Sequence, residues 1–347
     1  MERARVQGDP QAKTLRPRRD AIPGSRSGTA ACRIQQADDT EAGRDGHADG
    51  ERRRRTEFVA PVGVRQAISV PRISFIVPTF HSRRFFGACF PPLAGYADSE
   101  LIVVDNHSGD VAAAAAFGAR TYTHGPDQNA ARVFGAPFQR DFGARKATGT
   151  VLYFVDADMV VNNTVIDEAL DLIAAGSDAV IVREESVGVG FWARCKWLER
   201  RCYWGDDHIE APRVVRRDVY LAIGGFDGTV APDDWDLARR LRAAGYSVAR
   251  TTHYIVHDEG QVGIARLARK RFLYSRHAMA YVKKHHSFDI QQATFLRLAY
   301  LRHWRILLSH PLEAVGMMFM KLVEFGAVAV GVLASAVSRP AIRLRDE

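Results

Sequence analysis

Val151-Leu-Tyr-Phe-Val155-Asp156-Ala-Asp158 is the stretch on which the fold turns. Five apolar residues, four of them β-branched or aromatic, predict a strand buried on both faces, and the run stops at two carboxylates. A helical pattern precedes it, Gln139 to Thr148, and another follows, Val165 to Ala175. The same alternation repeats outward. Ile73 to Val77 is an apolar run stopped by Pro78, and Leu101 to Val104 is another, ending at Asp105. An Ala-rich helix over Val111 to Phe117 has Asp110 available as N-cap, and Arg120 to Thr123 and Ala179 to Arg183 add two strands. Strands and helices alternating at this spacing predict an α/β fold, a mostly parallel sheet flanked by helices on both faces.

Beyond Gly190 the pattern loosens. It predicts an aromatic-rich helix (Phe191 to Trp204), a strand (Arg213 to Arg216), a helix (Asp234 to Ala244) closed by Gly245, and a strand (Ser247 to Ile255). A long basic helix (Gly263 to Lys284) and an almost wholly apolar one (Leu312 to Val337) end the chain. Residues 1–65 carry 14 Lys+Arg and few large apolar groups, the composition of a disordered basic tail. The organisation expected is therefore a tail over 1–65, a catalytic domain over 70–262 and a helical, membrane-associating region over 263–338. Of 347 residues, 48 are Lys+Arg and 40 Asp+Glu, a formal charge of +8. Four scattered cysteines, none in a CxxC pair, exclude a disulfide-stapled secreted module and a cysteine-built zinc site, and suggest a reducing, cytoplasmic setting.

In an open parallel sheet, ligands bind beyond the carboxyl ends of the strands. Asp105 ends one strand, and Asp156 with Asp158 ends another. Two aspartates at i and i+2 can turn toward one divalent cation, and their oxygens suit Mg²⁺ or Mn²⁺. Taken alone, the pair is equally a polar strand-to-helix cap. A second constellation shifts the balance: Gly224-Gly225-Phe226-Asp227, then Asp233-Asp234-Trp-Asp236-Leu at a helix start. A carboxylate there is held ionised and oriented by free N–H groups and the helix dipole, which suits a general base. Capping accounts for one such acid, not three.

These segments, taken with Pro78-Thr79-Phe80 and Val103-Val-Asp105-Asn-His-Ser108-Gly-Asp110, resemble the inverting family 2 glycosyltransferases of the GT-A fold. Arg140-Asp-Phe-Gly143-Ala-Arg-Lys-Ala147-Thr-Gly149 is similar to their R-N-x-G-x-x-x-A-x-G helix, with Asp141 where Asn is usual. Asp156-Ala-Asp158 resembles their metal-binding DxD, and the two later segments their G-G-F-[DE] and [ED]-D-x-D-L. The resemblance spans about residues 73–260 and implies transfer of a sugar from a nucleotide-sugar to an acceptor hydroxyl, of the hexosyltransferase type, with a divalent metal. Pro78, Thr79, Asp105, Arg140 and Asp156 would then bind the nucleotide-sugar. Asp156, Asp158 and His257 would hold the metal, Asp234 would be the base, and Gly225, Asp233 and Arg271 would lie on the acceptor side. Processive members show Q-x-x-R-W where this chain has Ala268-Arg-Lys-Arg271-Phe272, so a single transfer fits better than polymer synthesis. Two other readings compete. A nucleotidyltransferase of related fold wants a Gly-rich basic loop after the first strand, which Pro78 to Arg84 lacks, and a non-catalytic nucleotide-sugar-binding module would be expected to have lost one of these aspartates.

Residues 266–305 hold ten Lys+Arg against one acid, Asp289. A solvated basic face, diphosphate contact and anionic lipid are the readings; nucleic acid has no supporting motif. In the terminal helix Glu313, Lys321 and Glu324 fall within roughly an 80° arc, with Gly331 and Ser335 on the same stripe. A wide apolar face beside one narrow polar stripe suits a helix in the membrane interface, with core or dimer packing and a true span as alternatives. The resemblance points the same way, toward a glycan or lipid-linked acceptor, a cell-envelope role, and a cytoplasmic enzyme peripheral on the inner face of the membrane.

Overall fold

The structure, a computed structural model, describes residues 72–125, 135–228, 232–285 and 297–337. The basic tail expected over residues 1–65 lies outside them. The first half of the fold consists of β1 (Ile73–Thr79), α1 (Phe86–Ala94), β2 (Ser99–Asp105), α2 (Val111–Ala115), β3 (Arg120–Thr123), α3 (Gly135–Lys146), β4 (Val151–Phe154), β5 (Met159–Val160) and α4 (Asn163–Ala174). The second half adds β6 (Ala179–Val189), α5 (Phe191–Tyr203), β7 (Val214–Arg216), α6 (Arg217–Ala222), α7 (Asp233–Ala243), β8 (Val248–Gln261) and α8 (Ile264–His285). Three further helices follow: α9 (Leu298–Arg302), α10 (Trp304–Ser309) and α11 (Pro311–Val337).

The eight strands form one sheet in the order β3-β2-β1-β4-β7-β6-β8-β5. Strands β1 to β4 pair in parallel, as do β6 and β8, while β7 runs antiparallel between β4 and β6. Both faces of the sheet are covered, which explains the continuous apolar runs. Phe75 and Val77 enter one core with Phe86, Phe90 and Leu101, while their neighbour Ile76 enters the other with Ile102, Val104 and Leu152. A third core joins α5 to the last helices through Leu198, Tyr203, Tyr300, Met317 and Met320.

Three departures from the sequence pattern matter. Helix α1 contains Pro91 and Pro92, which discourage a helical reading, yet it seats Phe86, Phe90 and Leu93 in the core. The two-residue strand β5 carries no pattern of its own; it pairs antiparallel with β8, Met159 opposite His257 and Val160 opposite Val256. Helix α2 begins at Asp110 without a capping hydrogen bond, because that side chain is engaged elsewhere.

Candidate active site

The register of β1 on β2 sets Thr79 opposite Asp105, and Pro78 opposite Val104. All four are buried. The Asp105 carboxylate accepts from the backbone N–H of Ser108 and Gly109, both at 2.9 Å, and from the Thr79 hydroxyl at 3.4 Å. Asp105 thus folds its own loop. Asp110 then ties that loop to the one after β1, accepting from Ser82 N–H at 2.7 Å and from Arg83 Nε at 3.2 Å. Gln139, which no motif singles out, donates from Nε2 to the carbonyls of Thr79 (2.8 Å) and Val104 (2.5 Å), pinning α3 across both strand ends.

Helix α3 comes close to the sheet because residue 143 is glycine. A Cβ there would lie 2.6 Å from the Ile76 side chain. This close seat, with Ala147 buried one turn on, aims Arg140 forward from the same helix. The Arg140 guanidinium bridges two acids from distant parts of the chain: Asp156, and Asp233 at 3.0 Å through Nη1. It also lies over the Phe226 ring, 5.6 Å from its centroid.

Asp156 has both oxygens engaged, one by Arg140 and the other by Arg213 at 3.3 Å. Burial would raise this carboxyl, but the two guanidiniums outweigh it and hold it well below the usual carboxylate range. Asp158 is the more open of the pair. The antiparallel register of β5 on β8 brings His257 to it, Nε2 3.5 Å from the carboxylate, while Nδ1 lies 3.4 Å from Glu184. Burial opposes a charged imidazole here, yet hydrogen bonds to Asp158 and Glu184 prevail and raise His257 to about 10. Among the described residues no three ligating side chains already form a metal site. The donor chemistry nevertheless fits one. A carboxylate on Nδ1 is the usual way an imidazole is oriented for a metal, and an open carboxylate faces its Nε2. A hard cation would draw its remaining ligands from water and phosphate oxygens.

On the other side, Gly225 takes φ +73°, and a Cβ on it would meet Asp141 at 2.3 Å. That turn is latched by Tyr220, whose hydroxyl accepts from Phe226 N–H at 2.9 Å and donates to Asp141 at 3.0 Å. Asp141 also receives Arg145 Nε at 2.7 Å, a charge pairing that the usual Asn could not make. The three acids of α7 have three environments. Asp233 pairs with Arg140; its carboxyl is pushed up to about 6 by burial and by Asp234 beside it, against the pull of Arg140. Asp234 opens to solvent, though the protein crowded around it still raises its carboxyl. Asp236 is fully buried, held by Arg240 at 2.7 Å, Lys284 at 3.0 Å and His285 at 2.7 Å, and so anchors α7 to α8.

Arg271, expected on the acceptor side, pairs with Glu324 of α11 at 3.0 Å. Its neighbour Lys270 feels Asp156 among its charges, and Tyr274 one turn on feels Asp233 and Asp234. Arg213, Glu184 and Arg200 are residues that sequence reasoning missed. Glu184 binds Arg213 at 2.6 Å and Arg200 at 3.2 Å, joining α5 to the strand-end acid Asp156 through Arg213. The only signal was Glu184-Glu185 continuing a buried apolar strand, a place where carboxylates must have partners.

Two of the many solved structures that align with the chain are these. One is a mannosyltransferase of Pyrobaculum calidifontis in complex with GDP-Man and Mn²⁺; it is 16% identical, with 79% of this chain and 77% of that chain covered and a TM-score of 0.48. The other is TarS 1-349 of S. aureus in complex with UDP-GlcNAc; it is 13% identical, with 76% and 91% covered and a TM-score of 0.43. No protein of curated function matches the chain. Residues 74–226, from the strand that carries Thr79 to the turn that carries Phe226, match the family model for glycosyl transferase family 2. Over that span the chain carries a glycosyl transferase family 2 domain, of the α/β GT-A fold.

Proposed function

We propose that the chain performs a single, inverting, metal-dependent transfer from a nucleotide-sugar to an acceptor hydroxyl. The observation that carries this reading is the Arg140 bridge, which sets the strand-end acids and the α7 acids on either side of one guanidinium. One side then has the groups for the departing diphosphate, and the other offers an oriented carboxylate. Asp158 and His257 would hold a Mg²⁺ or Mn²⁺ whose charge stabilises the leaving phosphate. Thr79 and Asp105 keep the loops after β1 and β2 in place for the nucleoside, and Arg140 and Lys270 present positive charge to the phosphates. Asp234, open to solvent and without an ion-pair partner among the described residues, takes the proton of the attacking hydroxyl. Attack from the side opposite the leaving group inverts the anomeric centre, so a carboxylate nucleophile has no part.

The acceptor we assign is a lipid-linked or cell-envelope glycan, reached at the inner face of the membrane. Its support is α11. Pro311–Ala334 is long and apolar enough, by length and composition, to associate with a bilayer. The test is a panel of nucleotide-sugars with Mg²⁺ or Mn²⁺, read by nucleoside diphosphate release and by the anomeric configuration of the product. Release that needs the metal, with inverted product, is expected. Retained configuration, or full activity in excess EDTA, overturns the reading.

A further inference from the structure

We infer that α9, α10 and α11 form an in-plane docking face for an anionic bilayer, with α11 lying along the membrane and not across it; this rests on the membrane association proposed above. The two faces of α11 are reversed relative to a helix of an ordinary soluble domain. Leu312, Val315, Phe319, Leu322, Val330 and Leu333 recur every three or four residues, apart from one longer gap, and point outward, each 48–73% exposed. The charges point inward. Lys321 and Glu324, each 3% exposed, are enclosed with Glu199 of α5, to which Lys321 is paired, and Glu324 also receives Arg271 of α8 at 3.0 Å. Glu313 pairs with Arg194 of α5 at 3.0 Å, and Gly331 lets α11 close on Phe272 and Ser275 of α8.

A helix crossing the bilayer would have to carry Lys321 and Glu324 through hydrocarbon, either stripped of Glu199 and Arg271 or dragging α5 and α8 with it. Lying in the interface costs none of these pairs. The occupant follows from what borders the stripe. Leu301, Trp304 and Leu308 extend it over α9 and α10, wider than a single helix–helix seam. Among the described residues 297–337 the exposed charged side chains are Arg302 and Arg305, both cationic. Lipid phosphates complement that charge, whereas a second copy of the same face brings more arginine.

The test uses the full chain with Cys32 replaced by Ser; Cys89, Cys195 and Cys202 are buried. Single labelled cysteines at Leu312, Phe319 and Leu333 are read by brominated-lipid quenching on phosphatidylcholine–phosphatidylglycerol vesicles. All three labels are expected at one shallow depth, with binding lost on pure phosphatidylcholine. A depth gradient from Leu312 to Leu333 overturns the in-plane geometry while leaving membrane association standing. No vesicle binding at all, with a concentration-dependent dimer by light scattering, overturns both and assigns the face to a second copy. Phe319→Arg combined with Leu322→Arg should lower vesicle partitioning by about tenfold or more, with Tm and metal-dependent nucleotide binding unchanged. Unchanged partitioning would also overturn the assignment.

Discussion

Asp156 with Asp158, and Asp233 with Asp234, are the same chemical pair built twice, once beyond a strand and once at a helix start. In each, one acid is locked by arginine and the other is open. Arg140 locks Asp156 and Asp233 together, and Arg213 takes the second oxygen of Asp156. Asp158 and Asp234 remain available. The difference lies in the neighbours of the open acid. Asp158 faces His257 at 3.5 Å, a partner suited to sharing a cation, whereas Asp234 has no cationic side chain paired with it among the described residues. On the function proposed above, one residue type would acquire two roles from its surroundings: the acid beside an imidazole would serve a metal, and the acid without a charged partner a proton.

The comparison breaks most visibly at Asp158. Asp158→Ala should reduce transfer to background, a loss of about 10³-fold or more, and abolish metal-dependent nucleotide binding while leaving Tm near wild type. Nucleoside diphosphate release and thermal shift with and without Mn²⁺ check this. Asp234→Asn tests the other open acid. It keeps the shape but cannot take a proton, so turnover should fall about 10²–10⁴-fold with donor affinity little changed. Collapse of affinity with turnover preserved would make Asp234 a binding residue and shift attention to Asp233.

The locked acids should respond together. Arg140→Lys keeps the charge but cannot reach both carboxylates, so kcat should drop by about 10–10²-fold as both sides lose register. If only donor KM rises, the bridge serves the donor alone. The smallest effect spares both pairs. Glu168 of α4 holds the start of β8, the strand that presents His257, accepting from Thr252 N–H at 2.6 Å and from His253 N–H at 3.0 Å. Burial would raise this carboxyl, but those hydrogen bonds lower it from 4.5 to about 2. A depressed carboxylate stabilises the fold fully above its unfolded pKa, and that contribution is lost as pH falls from 4.5 through about 2. Glu168→Gln should therefore lower stability by about 1 kcal/mol at neutral pH, with the gap to wild type closing below that window in pH-dependent denaturation.

Much of this was legible along the chain. The strands ending at Thr79, Asp105 and Phe154 announce themselves because burial on both faces demands unbroken apolar runs, and chain order places their acids at one end of the sheet. The spacing of Arg140, Gly143 and Ala147 is also local, since one helical face must be small where it meets the sheet. What stayed hidden depends on pairing between distant segments. Strand β5 exists only because β8 lies beside it, and that pairing sets His257 against Asp158. Arg213 and Glu184 have no motif because their roles come from each other.

The C-terminal helix divides the two kinds of knowledge most clearly. Its sequence determined that it has one apolar face and one polar stripe, because a 3.6-residue period converts spacing directly into angle. Which way those faces point was decided by the tertiary structure alone. Glu199 and Arg271, contributed by α5 and α8, give Lys321 and Glu324 buried partners, so the charges turn inward and the leucines outward. No local pattern encodes that choice, because the free energy of a buried charge depends on counter-charges that only the folded chain brings within reach.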